Sequence, residues 1–373
     1  MKIGIITLHR VRNYGSVFQA YALCEKLKDR GYEPIVIDYI PERFRLRSDL
    51  FFVRPDRYIN GKNKNYIKKF LFMCASIVPR FYYYTRFNNF VKKYIPVSTK
   101  KYFNIDELKK EHFDFDLVMN GSDQVWNMSW ESSVDRVFFL DFVPKGIKKG
   151  AYAASFGKKV LSNNEKMVME PLLKKYDFIT VREKSGLDIL NSMGISTAKL
   201  VLDPTLLFDR NRWSFLIKKK TIKFPYLLVY QLNYKTSALE YAQIIAQKLN
   251  LKVVDLSRKI KRTTGVDFNK PFVNPITFLN AFYYADYVVT DSFHGTAFSV
   301  NFNKPFISIK NDYPERVSSL LELLGIGERF IDSGNSTEII RCMLQKIDYA
   351  KVNAILDKER RTANLLLDRL GGK

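Results

Sequence analysis

Short apolar runs and longer amphipathic stretches follow one another along most of the chain. Lys2–Thr7 is apolar and β-branched and reads as a buried strand; Val17–Arg30 places Val17, Ala20, Tyr21, Cys24 and Leu27 at helical spacing. Gly31 ends that helix and Pro34–Tyr39 is the second strand. Further strands are predicted at Phe115–Asn120, Lys149–Ser155, Asp177–Val181 and Lys199–Leu202, with helices at Asn163–Lys175 and Gly186–Met193. Asp209–Phe224 is charged, shows no strong period and reads as a linker. A second series then begins. Its strands are Tyr226–Gln231, Leu251–Leu256, Asp286–Thr290 and Phe306–Ile309; its helices are Ser237–Leu249, Pro275–Tyr284, Phe293–Asn301 and Glu315–Leu324. Strand, helix and strand in alternation predict parallel sheets with right-handed crossovers. The pattern therefore predicts an α/β protein of two Rossmann-like domains facing a cleft, at 1–208 and 225–345. A charged amphipathic helix, Tyr349–Leu370 within 346–373, is free to cross back.

Residues 41–102 break the alternation. They hold 15 Lys/Arg against 3 Asp/Glu, with Phe51, Phe52, Phe70, Phe72, Phe81–Tyr84, Phe87 and Phe90 running through them. The apolar run Phe70–Val78 is too short to span a bilayer, which needs about 20 residues. Two readings stand: a helical insertion with a solvated basic face and an aromatic stripe packed on its domain, or an interfacial helix pair that also docks on anionic lipid.

Composition narrows the partners. With 61 Lys/Arg and 38 Asp/Glu the formal charge is +23, which favours anionic partners without choosing among nucleic acid, membrane surface and phosphorylated substrate. Cys24, Cys74 and Cys342 are scattered, so neither a disulfide framework nor a metal spacing is predicted, and a reducing compartment is expected. The N-terminus does not read as a signal peptide. The expected location is cytoplasmic, or peripheral at the inner membrane face.

Candidate chemistry collects where strands run into helices, since open parallel sheets bind ligands at their carboxyl ends and helix N-termini favour anions. His294, one of three histidines, falls in the first turn after Asp286–Thr290, behind Asp291 and the N-cap Ser292. Gly295 allows a ligand or another backbone to approach closely. Asn13, Tyr14, Gly15 and Ser16 form either a simple turn or a ligand loop before the first helix. This loop lacks the G-x-G-x-x-G dinucleotide fingerprint. Ser122, Asp123 and Gln124 follow the strand ending at Asn120, either as sugar or phosphate contacts or as a loop anchored by Trp126. Arg182 stands at another strand–helix junction, where a guanidinium forks onto carboxylate or phosphate. Asp203, before Pro204, fixes a turn.

Six segments in order resemble the polysaccharide pyruvyl transferase family: Asn13–Leu23 (NYGSVFQAYAL), Gly121–Asn127 (GSDQVWN), Tyr152–Gly157 (YAASFG), Val181–Gly186 (VREKSG), Leu202–Leu207 (LDPTLL) and Asp291–Pro305 (DSFHGT to NKP). The resemblance implies a GT-B-like fold and transfer of the enolpyruvyl unit of phosphoenolpyruvate onto two hydroxyls of a sugar, giving a cyclic ketal and phosphate. It implies no metal and no nicotinamide cofactor. Family members commonly carry Arg two residues before the motif His; here that position is Ser292, and Arg182, Lys304 or Arg316 is expected to supply the charge.

On this resemblance His294 supplies a proton or stabilises the departing phosphate, and Asp123 or Asp291 activates the sugar hydroxyl. Arg182 holds carboxylate or phosphate; Asn13 and Ser16 touch the acceptor. The expected partners are phosphoenolpyruvate, a lipid-linked or nucleotide-linked sugar and an anionic membrane surface. A GT-B glycosyltransferase using a nucleotide sugar is the alternative enzyme. Nucleic acid is not expected, since no recognised motif accompanies the basic charge.

Overall fold

The computed structural model describes residues 1–45, 66–128, 134–233, 237–256, 264–311, 314–332 and 336–371; for 66–76 and 336 the backbone alone is described. Two fully parallel sheets carry the chain. The first contains β1 (Lys2–Ile6), β2 (Glu33–Tyr39), β3 (Val97–Tyr102), β4 (Leu117–Asn120), β5 (Lys148–Ala154), β6 (Phe178–Val181) and β7 (Lys199–Leu200), in the spatial order β3-β2-β1-β4-β5-β6-β7. The second contains β8 (Tyr226–Tyr230), β9 (Lys252–Asp255), β10 (Phe268–Asn269), β11 (Tyr287–Thr290), β12 (Phe306–Ile309) and β13 (Phe330–Ile331), in the order β10-β9-β8-β11-β12-β13. Strand order reverses between β1 and β4 and again between β8 and β11. Each reversal opens a crevice at the carboxyl ends of the strands.

The helices are α1 (Tyr14–Lys28), α2 (Tyr66–Tyr94), α3 (Ile105–Lys109), α4 (Asn163–Leu173), α5 (Lys184–Asn191), α6 (Pro204–Leu207), α7 (Arg210–Ser214), α8 (Ala238–Leu249), α9 (Pro275–Tyr284), α10 (Phe293–Asn301), α11 (Glu315–Leu323), α12 (Ser336–Leu344) and α13 (Tyr349–Asp368). Central strands are apolar on both faces because helices cover both: β4, β8, β11 and β12 are buried at every position.

Four local readings change. Helix α1 begins at Tyr14, three residues before the first clear apolar period, because Asn13 caps it and accepts from the Gly15 amide. Among the described residues of 41–102 there is one long helix, α2, with Pro79 inside it, followed by β3, which pairs with β2 at the sheet edge; 46–65, where the first helix of a pair would fall, lie outside the described residues. Its described half buries Tyr83, Phe87, Phe90 and Val91 and leaves Val78, Phe81 and Tyr82 exposed. Side chains at Lys68, Lys69, Phe70 and Phe72 lie outside the described residues. The linker contains α7, whose Trp213 is wholly buried.

An aromatic seam joins the two halves. The Tyr14 ring stacks on Phe278 with centroids 4.1 Å apart, and its hydroxyl donates to the Val273 carbonyl at 2.9 Å. Phe18 meets Phe298 and Trp213 edge-on at 5.3 and 5.5 Å. Helix α13 crosses back onto the first half: Arg30 pairs with Asp368 at 2.7 Å, and Arg360 donates to the Leu206 and Phe208 carbonyls while reaching Asn301 in the second half. Among the described residues no helix is long and apolar enough to cross a membrane.

Candidate active site

The two crevices face each other, and the first turns of α1 and α10 meet between them. The contact is close enough to require glycine: a Cβ at position 15 would lie 1.9 Å from His294 Nδ1. The loop before α1 is braced by His9, whose Nε2 lies 3.0 Å from Asp38 Oδ1, and by Arg10 on the same carboxylate.

Arg182, at the end of β6, is the hub. Its side chain is fully buried, with Nη1 2.7 Å from Asp203 Oδ2, Nη2 3.1 Å from Asp123 Oδ1 and Nε 3.6 Å from Glu183 Oε2. Asp123 sits at φ +78°, an unusual backbone for a non-glycine residue. Its carboxylate accepts from the Ser16 hydroxyl and from the Gln124 amide at 2.9 Å. Burial pushes its carboxyl up, but Arg182, His294 and Ser16 more than reverse this and leave it at about 2. Asp203 caps α6, accepting from the Thr205 amide and hydroxyl at 2.9 and 2.7 Å; its other oxygen accepts from Ser122 at 2.8 Å and lies 3.8 Å from His294 Nε2. There too burial pushes up, and His294, Arg182 and Thr205 hold the carboxyl below its usual range.

His294 is 4% exposed and its Nε2 has no hydrogen-bond partner. Burial drives its imidazole down to about 4, against the pull of Asp203 and Asp123, so the ring is neutral near pH 7. A neutral imidazole accepts a proton before it can donate one. Asp203 then stands where an imidazolium would be stabilised.

Outward from His294, the Phe293 ring lies beneath two guanidinium groups, Arg182 at 4.9 Å and Arg316 at 5.9 Å. The Arg316 nitrogens are 2.8 and 3.1 Å from the terminal amide of Gln124, which accepts through its oxygen. Burial, with Arg182 nearby, lowers Arg316 to about 10. Gly157, Lys158, Lys159, Glu183, Ser185, Pro314, Glu315 and Arg316 line an opening of about 360 Å³ beside this cluster.

The structure thus brings together Gly15, Ser16, Ser122, Asp123, Gln124, Arg182, His294 and Arg316. It assigns other jobs to the remaining candidates. Asp291 accepts from the Leu232 and Asn233 amides at 2.6 and 2.8 Å, bracing the loop after β8. Ser292 caps α10 through the Gly295 amide. Gly295 makes room for Thr290, whose Oγ1 would lie 2.2 Å from a Cβ there. Asn13 is a cap, and Tyr14 belongs to the aromatic seam. Lys304 lies beyond the far end of α10, near Arg210 and Asp286 at the amino ends of the strands; burial and Arg210 lower it to about 8. A helix in a parallel crossover returns the chain to the amino ends of the strands, so Lys304 is remote from His294 although only ten residues separate them. Asp203 and Glu183 were not among the candidates. Their signal was present: one precedes a proline at a strand end, and the other follows Arg182.

The polysaccharide pyruvyl transferase model matches residues 13–313. The chain belongs to the polysaccharide pyruvyl transferase family. It is therefore a transferase of polysaccharide pyruvylation in the broad sense. No curated protein matches the sequence significantly. Among solved structures, a UDP-N-acetylglucosamine 2-epimerase is similar at TM-score 0.56 and 13% identity, covering 100% of this chain and 96% of that one. The Staphylococcus aureus MnaA–UDP structure is similar at 0.52 and 12%, covering 95% and 90%. The Methanocaldococcus jannaschii UDP-GlcNAc 2-epimerase is similar at 0.51 and 12%, covering 98% and 99%. At such identities the likeness shows the fold, which is GT-B.

Proposed function

We propose that this transferase moves the enolpyruvyl unit of phosphoenolpyruvate onto two hydroxyls of a sugar in a cell-surface polysaccharide precursor. The observation that carries the reading is the neutral His294, poised 3.8 Å from Asp203 and packed against the α1 N-terminus of the other half. His294 takes a proton from the attacking hydroxyl, and Asp203 stabilises the resulting charge. Arg182 is engaged by Asp123 and Asp203, so its task is to hold both carboxylates, and Arg316 faces the opening together with Lys158 and Lys159. In the balanced reaction both hydroxyl oxygens bond to the enol carbon as the phosphate C–O bond breaks. One hydroxyl proton ends on the methylene carbon, which becomes the methyl group. The other leaves with phosphate. Nothing in this balance calls for an oxidant or reductant.

The test is thermal unfolding with phosphoenolpyruvate, against phosphate and a panel of nucleotide sugars. A ligand at 100 times its Kd adds about 2.7 kcal/mol. A shift with phosphoenolpyruvate beyond that with phosphate supports the reading. A shift with a nucleotide sugar alone moves the protein to the glycosyltransferase alternative.

The exposed Val78, Phe81 and Tyr82 on α2, with Arg80 and Arg86 in the same stretch, favour attachment to anionic lipid at the inner membrane face, where a lipid-linked acceptor would be met. Sedimentation with phosphatidylglycerol vesicles tests this; a wild-type protein that stays in the supernatant rules it out.

A further inference from the structure

The opening beside the His294 cluster is built from two helix ends. Helix α5 starts at Lys184 behind Glu183, and α11 starts at Glu315 behind Pro314; neither has a side-chain cap, and since Gly186 donates to the Glu183 carbonyl and Val317 to the Pro314 carbonyl, the amides of Ser185, Glu315 and Arg316 are the ones left to other partners. The two ends lie side by side: the Lys184 amide donates to Ser319 Oγ of α11 at 3.4 Å, and Lys184 Nζ pairs with Glu322 at 3.1 Å. Both ends contribute lining residues, Glu183 and Ser185 from one and Pro314, Glu315 and Arg316 from the other.

Two side chains there show what is missing. Ser185 is 5% exposed, yet its hydroxyl has no hydrogen-bond partner. A buried hydroxyl without a partner is destabilising, and a ligand that accepts from it removes that cost. Arg316 has no carboxylate within ion-pair distance among the described residues, while its neighbour Arg182 has three. Lys158 and Lys159 complete the rim; Lys158 leans on Glu165, and Lys159 approaches Glu315 at 4.0 Å. Gly157, at φ +63°, turns the chain out of β5 into this rim.

We propose that the pocket between the N-termini of α5 and α11 is a phosphate site, with the Ser185 hydroxyl, the Arg316 guanidinium and the Ser185, Glu315 and Arg316 amides as its donors. Donors converge from two helix ends, a rim and a buried hydroxyl. That spread matches the oxygens of a tetrahedral anion better than the two coplanar oxygens of a carboxylate. Glu183 is the one buried acid on the wall. Burial pushes its carboxyl up despite Arg182, with which it pairs at 3.6 Å. The site deepens the pyruvyl transfer reading, and rests on it, only in saying which phosphate binds: the one on the donor, held beside His294 until it leaves.

Inorganic phosphate is the probe, titrated into the full chain by calorimetry at constant ionic strength, with wild type, Ser185→Ala and Arg316→Gln compared. Saturable binding is expected in wild type. Removing the guanidinium should weaken it roughly tenfold or more, and removing the hydroxyl by roughly three- to tenfold. The unfolding midpoint of each ligand-free variant reports whether it folds; Arg316→Gln keeps the test open if Ser185→Ala does not. No saturable binding, equal affinity in all three proteins, or equally tight competition by acetate overturns the proposal. Phosphoenolpyruvate is then added to the phosphate-loaded protein. Displacement supports both ideas. Phosphate binding that responds to the two substitutions but is untouched by phosphoenolpyruvate leaves the phosphate site standing and removes the pyruvyl donor.

Discussion

Two surfaces of α1 meet the second half of the molecule, and they are opposites. Along one, Tyr14 and Phe18 enter an apolar seam with Phe278, Phe298 and Trp213, where rings stack and meet edge-on. Along the other, Gly15 and Ser16 reach His294 and Asp123, where three carboxylates crowd one buried guanidinium. The seam gains from area and shape, and tolerates small losses. The polar end gains little net stability, because desolvating its charges costs nearly what their attraction returns, yet removing one member leaves the others exposed to that cost. The apolar seam fixes the geometry; the polar end uses it.

The largest break comes from Arg182→Met. Asp123 and Asp203 would then be buried without a cation, at a cost of about 4 kcal/mol. Urea unfolding of wild type and variant measures it. A loss under about 1 kcal/mol would mean that water or protons neutralise the carboxylates, and that the cluster is looser than its distances state.

Much of this contrast could be read from the chain, but not its wiring. Strand–helix junctions are local, so Asp123, Arg182 and His294 were placed at the carboxyl ends of strands by hydrophobic period alone. Their partners are not local: Arg182 meets Asp203 and Asp123 only once β4, β6 and α6 are assembled. Tyr14 and Asp291 look like ligand residues in sequence because caps, seams and ligand loops favour the same strand ends. Lys304 was misplaced because closeness in sequence spans the whole length of a helix. The edge strand β3 was hidden by its composition, VSTKKY, which is mostly polar and leaves Thr99, Lys100 and Lys101 exposed. Helix α7 is too short to show a period, although Trp213 marked it.

The second break is pH. The native His294 titrates at about 4 against about 6.5 when unfolded, so between those values the unfolded chain binds the extra proton. Stability from the neutral ring is therefore complete above pH 6.5 and drains as pH falls toward 4, by about 3 kcal/mol in all. Urea midpoints across that window should fall steeply in wild type and less in His294→Gln. Parallel curves would assign the acid sensitivity to other groups. The seam contributes no titration there.

Gly15→Ala acts on both surfaces at once and separates them. The added methyl overlaps the His294 ring, whereas the seam is made by Tyr14, one residue before, and Phe18, three after. Turnover should fall roughly 100-fold, since an ångström of displacement at the reacting group is enough. Stability should fall by about 1–2 kcal/mol, the usual cost of overpacking. If turnover persists while stability drops, His294 is a packing residue and the base lies elsewhere.

The smallest change is the sharpest. Tyr14→Phe keeps the stack on Phe278 and removes only the hydroxyl that donates to the Val273 carbonyl at 2.9 Å. The cost should be about 1 kcal/mol in urea unfolding, with kcat and KM unchanged. Tyr14 lies between Asn13 and Gly15, inside one of the segments that carry the family resemblance, so the sequence places it in a candidate ligand loop. Its burial in the seam makes it a packing contact between the halves. A rise in KM for the acceptor would return it to the substrate. An unchanged KM with lowered stability would show that the motif around it is shared by two tasks, one residue serving the seam and the next the chemistry.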